Sequence, residues 1–400
     1  MTHSMRWESD GRDLSRVVLL FGLSLLLAAL PARGMGAEVV APQTLFELPY
    51  GSGESQIGVC YGDEPGTYPM GPTGLVIGPS GDVYIGDYVQ RVVKRFDRTG
   101  KLLMTTEGTI ENMGLPSIGP RGEIAVISGA NAADLTMFAP DGKRVVSTRD
   151  EKGGLVEPRG GEHTSGQIGA WKAAHSLPTT ALTPSFLYYD ADGRFYVGVT
   201  GSDFEPKVVG ARSRVFVFTP ALELSAVVLG DFVDPQGRLY SSHGPRTRHV
   251  GQRYEVRGSD GSLLREADVP SSDTLAEVLP WMGGDAAGVW YVTADATGDL
   301  YLVDAVTRSA VGGTPRSLTE HLRVTCDLSV VRLDATGELL AAFRLPGSPF
   351  LRGRSVYIDP KGDVYYFEFG PKSLKVDMIS AASLSAKAAK SPSKIVTVQP

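Results

Sequence analysis

Residues 74–107 read GLVIGPSGDVYIGDYVQRVVKRFDRTGKLLMTTE. Four short apolar runs lie in this stretch: Leu75 to Ile77, Val83 to Ile85, Arg91 to Phe96 and Lys101 to Met104. Pro79-Ser80-Gly81 separates the first two, and Arg98-Thr99-Gly100 the last two. β-branched and aromatic residues fill the runs and Gly-bearing clusters bound them, so each run reads as a strand. Four strands in this order make one antiparallel meander.

The first turn recurs along the chain. It appears as PSGDVYIGD at Gly81, GPRGEIAVI at Gly122, DADGRFYVG at Gly193, DPQGRLYSS at Gly237, DATGDLYLV at Gly298 and DPKGDVYYF at Gly362. The common element is a small or acidic turn, a Gly, a charged residue and an alternating strand that often holds Tyr. Gly accepts the positive φ that a tight hairpin demands. A second turn recurs as DRTG at Gly100, APDG at Gly142, GSDG at Gly261 and DATG at Gly337. The third unit has Thr219-Pro220-Ala221-Leu222 there instead, and the sixth lacks it. The key glycines stand 41, 71, 44, 61 and 64 residues apart, so the variation must sit in insertions around a constant core. Six such units predict an all-β chain: a six-bladed β-propeller of four-stranded antiparallel blades. Two sandwiches are the rival architecture, but they would not need six copies of one signature.

The stretch from Gly81 to Gly100 resembles an NHL repeat of bacterial propellers. The resemblance extends to the second, fifth and sixth units, and to the first turn alone in the third and fourth. It implies six blades and no single activity, because such propellers include interaction modules and enzymes. The sixth unit shows three strands, Ser355 to Ile358, Val364 to Phe369 and Leu374 to Ile379. Thr44-Leu45-Phe46-Glu47-Leu48-Pro49 is similar to Ala341-Ala342-Phe343-Arg344-Leu345-Pro346 and is expected to complete the last blade. Lys394 to Val398 is the alternative donor. The Ala/Ser/Lys-rich stretch before it is poor in large apolar residues, so residues 381–400 are expected to form a flexible tail.

The chain has 400 residues, 48 Gly, 26 Pro and a net charge of −6. The acidic balance argues against a nucleic-acid partner, whose phosphates need a basic surface. Arg6, Arg12 and Arg16 precede the apolar run Val17 to Leu30, and small residues follow up to Ala37. This is the order of a secretory signal peptide over residues 1–37, and it predicts a secreted or periplasmic protein with no transmembrane segment after cleavage. The propeller is then expected over residues 38–380. Cys60 and Cys326 are the two cysteines. Export permits a disulfide between them, and two separate thiols are the alternative.

In a four-stranded meander the one–two and three–four turns lie at one rim of the disc. The two–three loops and the blade links lie at the other. The first set is uniformly tight, whereas insertions fall in the second, which makes that rim the expected binding surface. There the loop SSHGPRTRHVGQR carries His243, Arg246 and Arg248 with no acid, which suits carboxylate, sulfate or phosphate groups. Trp171 and Trp281, on two other loops, would stack on a sugar or anchor a partner, or would serve only to pack their loops. Asp87, Asp304 and Glu368 stand near the ends of second strands, where carboxylates at a channel mouth can hold Ca²⁺. Capping a turn is the plainer role for each. The turn acids Asp190, Asp192, Asp234, Asp295 and Asp359 belong to the tight rim and read as Asx-type turn formers.

The expected function is non-catalytic binding of a protein or an anionic glycan by the loop-rich rim, with no cofactor. The alternative is a metal-dependent, lactonase-like hydrolase or lyase using Ca or Zn at the channel mouth. Gluconolactonase-like propellers use a Glu/Asn/Asp metal site, and this chain has only Asn112 and Asn131. Streptogramin-lyase-like propellers use a His with a spaced Glu–His pair, whereas Glu320 and His321 are adjacent. No nucleophile elbow, phosphate-cradling loop or dinucleotide fingerprint occurs in a fitting strand–helix context.

Overall fold

The computed structural model describes residues 38–60, 70–128, 134–147, 183–200, 214–242, 252–271, 289–307, 326–346, 355–388 and 396–398. A short strand β1 (Glu38–Val40) and β2 (Gln43–Pro49) open it. The first blade is β3 (Pro72–Ile77), β4 (Val83–Asp87), β5 (Val92–Phe96) and β6 (Leu102–Thr105). The second is β7 (Pro116–Ile118), β8 (Ile124–Ser128), β9 (Asp134–Phe138) and β10 (Arg144–Ser147). The third is β11 (Thr183–Tyr189), β12 (Phe195–Thr200), β13 (Arg214–Phe218) and β14 (Leu224–Leu229). The fourth is β15 (Phe232–Val233), β16 (Leu239–Ser242), β17 (Arg253–Arg257) and β18 (Leu263–Asp268). The fifth is β19 (Val289–Ala294), β20 (Leu300–Thr307), β21 (Cys326–Leu333) and β22 (Leu339–Pro346). The sixth is β23 (Val356–Ile358), β24 (Val364–Phe369) and β25 (Ser373–Ile379). Each of the first five blades is a four-stranded antiparallel meander in chain order.

The sixth blade takes its outer strand from the other end of the chain. Strand β2 pairs antiparallel with β25, Phe46 opposite Val376 and Leu48 opposite Leu374. Phe46 and Leu48 alternate with exposed Glu47 and Pro49, so one face of β2 enters the core. Joining the first and last residues of the ring this way leaves no open radial seam.

Six apolar clusters, one between each pair of neighbouring blades, show the closure directly. The cluster joining blades one and two holds Tyr84, Val93, Ile124 and Phe138. That joining blades six and one holds Phe367, Val376, Leu75 and Ile85, with Phe46 of β2. The four other seams are filled in the same way. Successive residues of a strand point to opposite faces, so each blade feeds a seam on both sides, while its outer strand keeps exposed positions such as Leu103, Val227 and Leu264.

The repeated Tyr and Gly are complements across these seams. Tyr196 of blade three lies where a Cβ on Gly237 of blade four would come within 2.4 Å of its hydroxyl, and Tyr301 does the same to Gly362 at 2.5 Å. These glycines also hold φ of 73° and 82°. A side chain there meets two obstacles, backbone strain and the neighbouring phenol.

The turn acids act as Asx anchors. Asp295 Oδ1 accepts hydrogen bonds from the amides of Thr297, Gly298 and Asp299 at 2.9–3.1 Å, while Oδ2 accepts one from Tyr301 Oη at 3.1 Å. Asp190 with Tyr196 and Asp234 with Tyr240 repeat the clamp.

The C-terminal stretch corrects an expectation. Residues 381–388 form a helix α1 (Ala381–Ala388) instead of a mobile tail. Ser380 caps it, its Oγ accepting from Ser383 N at 3.2 Å, and Asp363 Oδ1 accepts from Ala381 N at 2.7 Å. Leu384 is buried in the seam of blades five and six. One well-placed leucine and two caps thus outweigh a composition poor in apolar bulk. Strand β26 (Val396–Val398) closes no blade; it pairs parallel with β1 in a separate two-stranded sheet. Among the described residues no helix is long and apolar enough to cross a membrane.

Candidate functional site

Every segment outside the described residues belongs to a two–three connection, a blade link or a chain end, apart from residues 61–69, which lead into β3. The one–two and three–four turns are all described and tight. Trp171, Trp281, His243, Arg246 and Arg248 therefore lie outside the described residues. The strand ends that bring them in are placed at one rim by the meander.

Of the three carboxylates expected at the channel mouth, Asp87 is the best defined. It ends β4, is fully buried and faces Lys94 of β5, whose ammonium lies 3.2 Å from Oδ2. Asp87 Oδ2 accepts from Gly58 N and Oδ1 from Gln90 N, both at 3.0 Å. Lys94 Nζ donates to Gln90 Oε1 at 2.9 Å and also to the carbonyl of Gln56. Gln90 Nε2 donates to the carbonyl of Gly51 at 2.9 Å. An ion pair between two β-strands thus ties down residues 51–58 of the N-terminal segment. Sequence reasoning saw the Asp but missed its partner. The signal was present: Lys94 is a charge at a position where β5 alternates toward the interior.

Glu368 on β24 is half-buried and accepts from Lys375 Nζ of β25 at 3.1 Å. Beside it Asp377 is 1% exposed, and neither carboxylate oxygen makes a well-formed hydrogen bond among the described residues, although the side chains of Thr44 and Glu368 lie beside it. Burial pushes its carboxyl above the ordinary value, against the pull of the Thr44 side chain and helped by the charge of Glu368. Tyr366, directly opposite Asp377 across the ladder, has an unpartnered buried hydroxyl as well.

The third carboxylate is placed differently from the expectation. Strand β20 runs on to Thr307, so Asp304 lies within the strand, opposite Ser329, and not at its end. Ala305, Val306 and Thr307 continue the β pattern and lengthen the hairpin. The side chain of Asp304 is outside the described set. Among the described residues no three His, Cys, Asp or Glu side chains gather as a metal ion would need. Cys60 is half-buried with a free thiol, and its backbone bridges Met70; the side chain of Cys326 lies outside the described residues.

At the opposite, tight rim the central channel widens into a cavity of about 710 Å³ lined by the innermost strands and the one–two turns. Its walls include Phe186, Tyr188, Phe232 and Tyr357. Burial raises both phenols, Tyr188 and Tyr357, above the ordinary tyrosine value, so they are neutral.

No protein-family model matches the chain, and no curated protein matches it. Solved structures similar to it include a gluconolactonase from Xanthomonas campestris, at 13% identity and TM-score 0.41, covering 83% of this chain and 97% of that one. A virginiamycin B lyase from Staphylococcus aureus matches at 11% identity and TM-score 0.38, covering 80% and 98%. A member of the DUF4221 family from Bacteroides vulgatus matches at 11% and 0.45, covering 86% and 99%. At these identities the likenesses say nothing of this chain's activity.

Proposed function

We propose that this chain is an exported, NHL-repeat-like propeller that works by binding, without catalysis, a protein or anionic-glycan partner at its loop-rich rim. Trp171, Trp281, His243, Arg246 and Arg248 are the contacts, with the arginines pairing to carboxylate or sulfate and the indoles supplying apolar area. The observation that carries this over a metal-dependent hydrolase or lyase is the state of Asp87 and Glu368. Each carboxylate already faces a lysine ammonium, and Asp87 also accepts two backbone amides. A carboxylate held so is a structural anchor and a poor cation ligand.

The test is retention of the mature protein on immobilised heparin and alginate, with Arg246→Ala plus Arg248→Ala alongside. Binding by the native protein, weakened about tenfold or more in the double variant, supports the reading. Unchanged retention would remove the basic loop from it. Stoichiometric tightly held zinc or calcium in the purified protein would replace it with the metal-dependent alternative.

A further inference from the structure

The inner strand of every blade presents one residue opposite the position that Tyr occupies in five of the six second strands. The pairs are Val76–Tyr84, Ser117–Ala125, Tyr188–Tyr196, Phe232–Tyr240, Thr293–Tyr301 and Tyr357–Tyr365. Equal register in six blades puts the six inner residues at one level of the channel, and all six line the cavity. Three of them are aromatic, Tyr188 and Tyr357 coming from blades that face each other across the ring. Four carry hydroxyls: Ser117, Tyr188, Thr293 and Tyr357. None of these four hydroxyls has a hydrogen-bond partner among the described residues, although Ser117 is 7% exposed. The matching hydroxyls one strand out behave differently: Tyr196, Tyr240 and Tyr301 all donate to a turn aspartate.

The charged groups around the cavity are largely committed elsewhere. Asp190 accepts turn amides and Tyr196, Asp359 accepts the amides of Lys361 and Asp363, and Asp231 holds Ser242. Arg98 donates to the Gly81 carbonyl and to Tyr365. Lys361 stands exposed at the mouth. The interior is thus apolar and aromatic, with neutral hydroxyls that both donate and accept.

We propose that the tight-rim end of the channel is a binding site for a small uncharged aromatic molecule bearing hydroxyl or carbonyl oxygens, seated within the ring of Tyr188, Phe232 and Tyr357. A volume of about 710 Å³ suits a ligand of that class. Its rings lie against the aromatic walls and its oxygens complete the ring hydroxyls, which an apolar ligand would leave unpaired. The site is independent of the loop-rich rim and stands or falls apart from it.

Titration calorimetry of the full mature chain with 2-naphthol tests this, with 2-naphthoate and D-glucose as comparison probes. One saturable site is expected for 2-naphthol, with weaker binding of the carboxylate and of the sugar. Tyr188→Phe plus Tyr357→Phe keeps the rings and should weaken binding about tenfold. Thr293→Val, an isosteric loss of one hydroxyl, should weaken it by a smaller factor and serves if the double variant does not fold. Absence of saturable binding overturns the proposal. So does equal affinity in the variants, which would mean apolar partitioning, or tighter binding of 2-naphthoate or D-glucose, which would mean a ligand of another class.

Discussion

Asp377 sits in an environment that its chemistry does not prefer. It is 1% exposed with no well-formed hydrogen bond to either oxygen, next to Glu368 and Thr44 and opposite the unpartnered hydroxyl of Tyr366. Burial raises its carboxyl above the unfolded value. The folded chain therefore holds that proton more tightly than the unfolded chain does. This contribution is complete below the ordinary carboxylate value and is lost as pH rises through the raised one. Asp377→Asn keeps the shape and removes the titration. It should raise Tm more at pH 7 than at pH 4, measured against the native chain by calorimetry at both pH values. An equal shift at both would show that Asp377 is not protonated by folding.

At the scale of elements, the N-terminal segment is held by a pair of strands it does not belong to. Lys94 reaches Asp87, Gln90 and the carbonyl of Gln56, so the β4–β5 hairpin clamps residues 51–58. Lys94→Met fits the volume but leaves the Asp87 carboxylate buried without its counter-ion. Loss of one partner of a buried pair costs about 3–5 kcal/mol. Urea unfolding should show a loss of this order, and limited proteolysis should cut first within residues 51–58. Adding Asp87→Leu to Lys94→Met should restore part of the stability but not the protection of the segment, because the Gly58 and Gln90 amides lose their acceptor.

For the whole molecule, stability depends on the ring being closed by β2. Deleting residues 38–49 removes Phe46 and Leu48 from the seam between blades six and one and bares the edge of β25. Two buried side chains of this size contribute about 1.5–3 kcal/mol each, before the lost ladder bonds. The deletion should lower Tm steeply and promote association through the exposed edge, visible by light scattering. A truncated chain that melts like the native one would mean that the last blade needs no outer strand.

The blades were legible because their determinants are local. A Gly-bearing turn between two alternating strands, as at Gly81 or Gly298, is decided by neighbours in sequence, and six repetitions set the blade number. The similarity of Thr44–Pro49 to an outer strand already pointed to the blade that lacked one. The helix at 381–388 was not legible, since a single Leu384 has weight only once blades five and six offer it a seam. The ring of hydroxyls was hidden for the same reason: Ser117, Tyr188, Thr293 and Tyr357 lie in four separate inner strands and meet only around an axis. So too with the clamp at Lys94: Asp87 and Gln90 are near it in sequence, but the Gln56 carbonyl that it also holds is 38 residues earlier. Sequence by itself determined what depends on a hairpin's own φ angles and alternation. Tertiary structure alone decided which buried charges found partners and which hydroxyls did not, because desolvation is a property of the surroundings that radial packing creates.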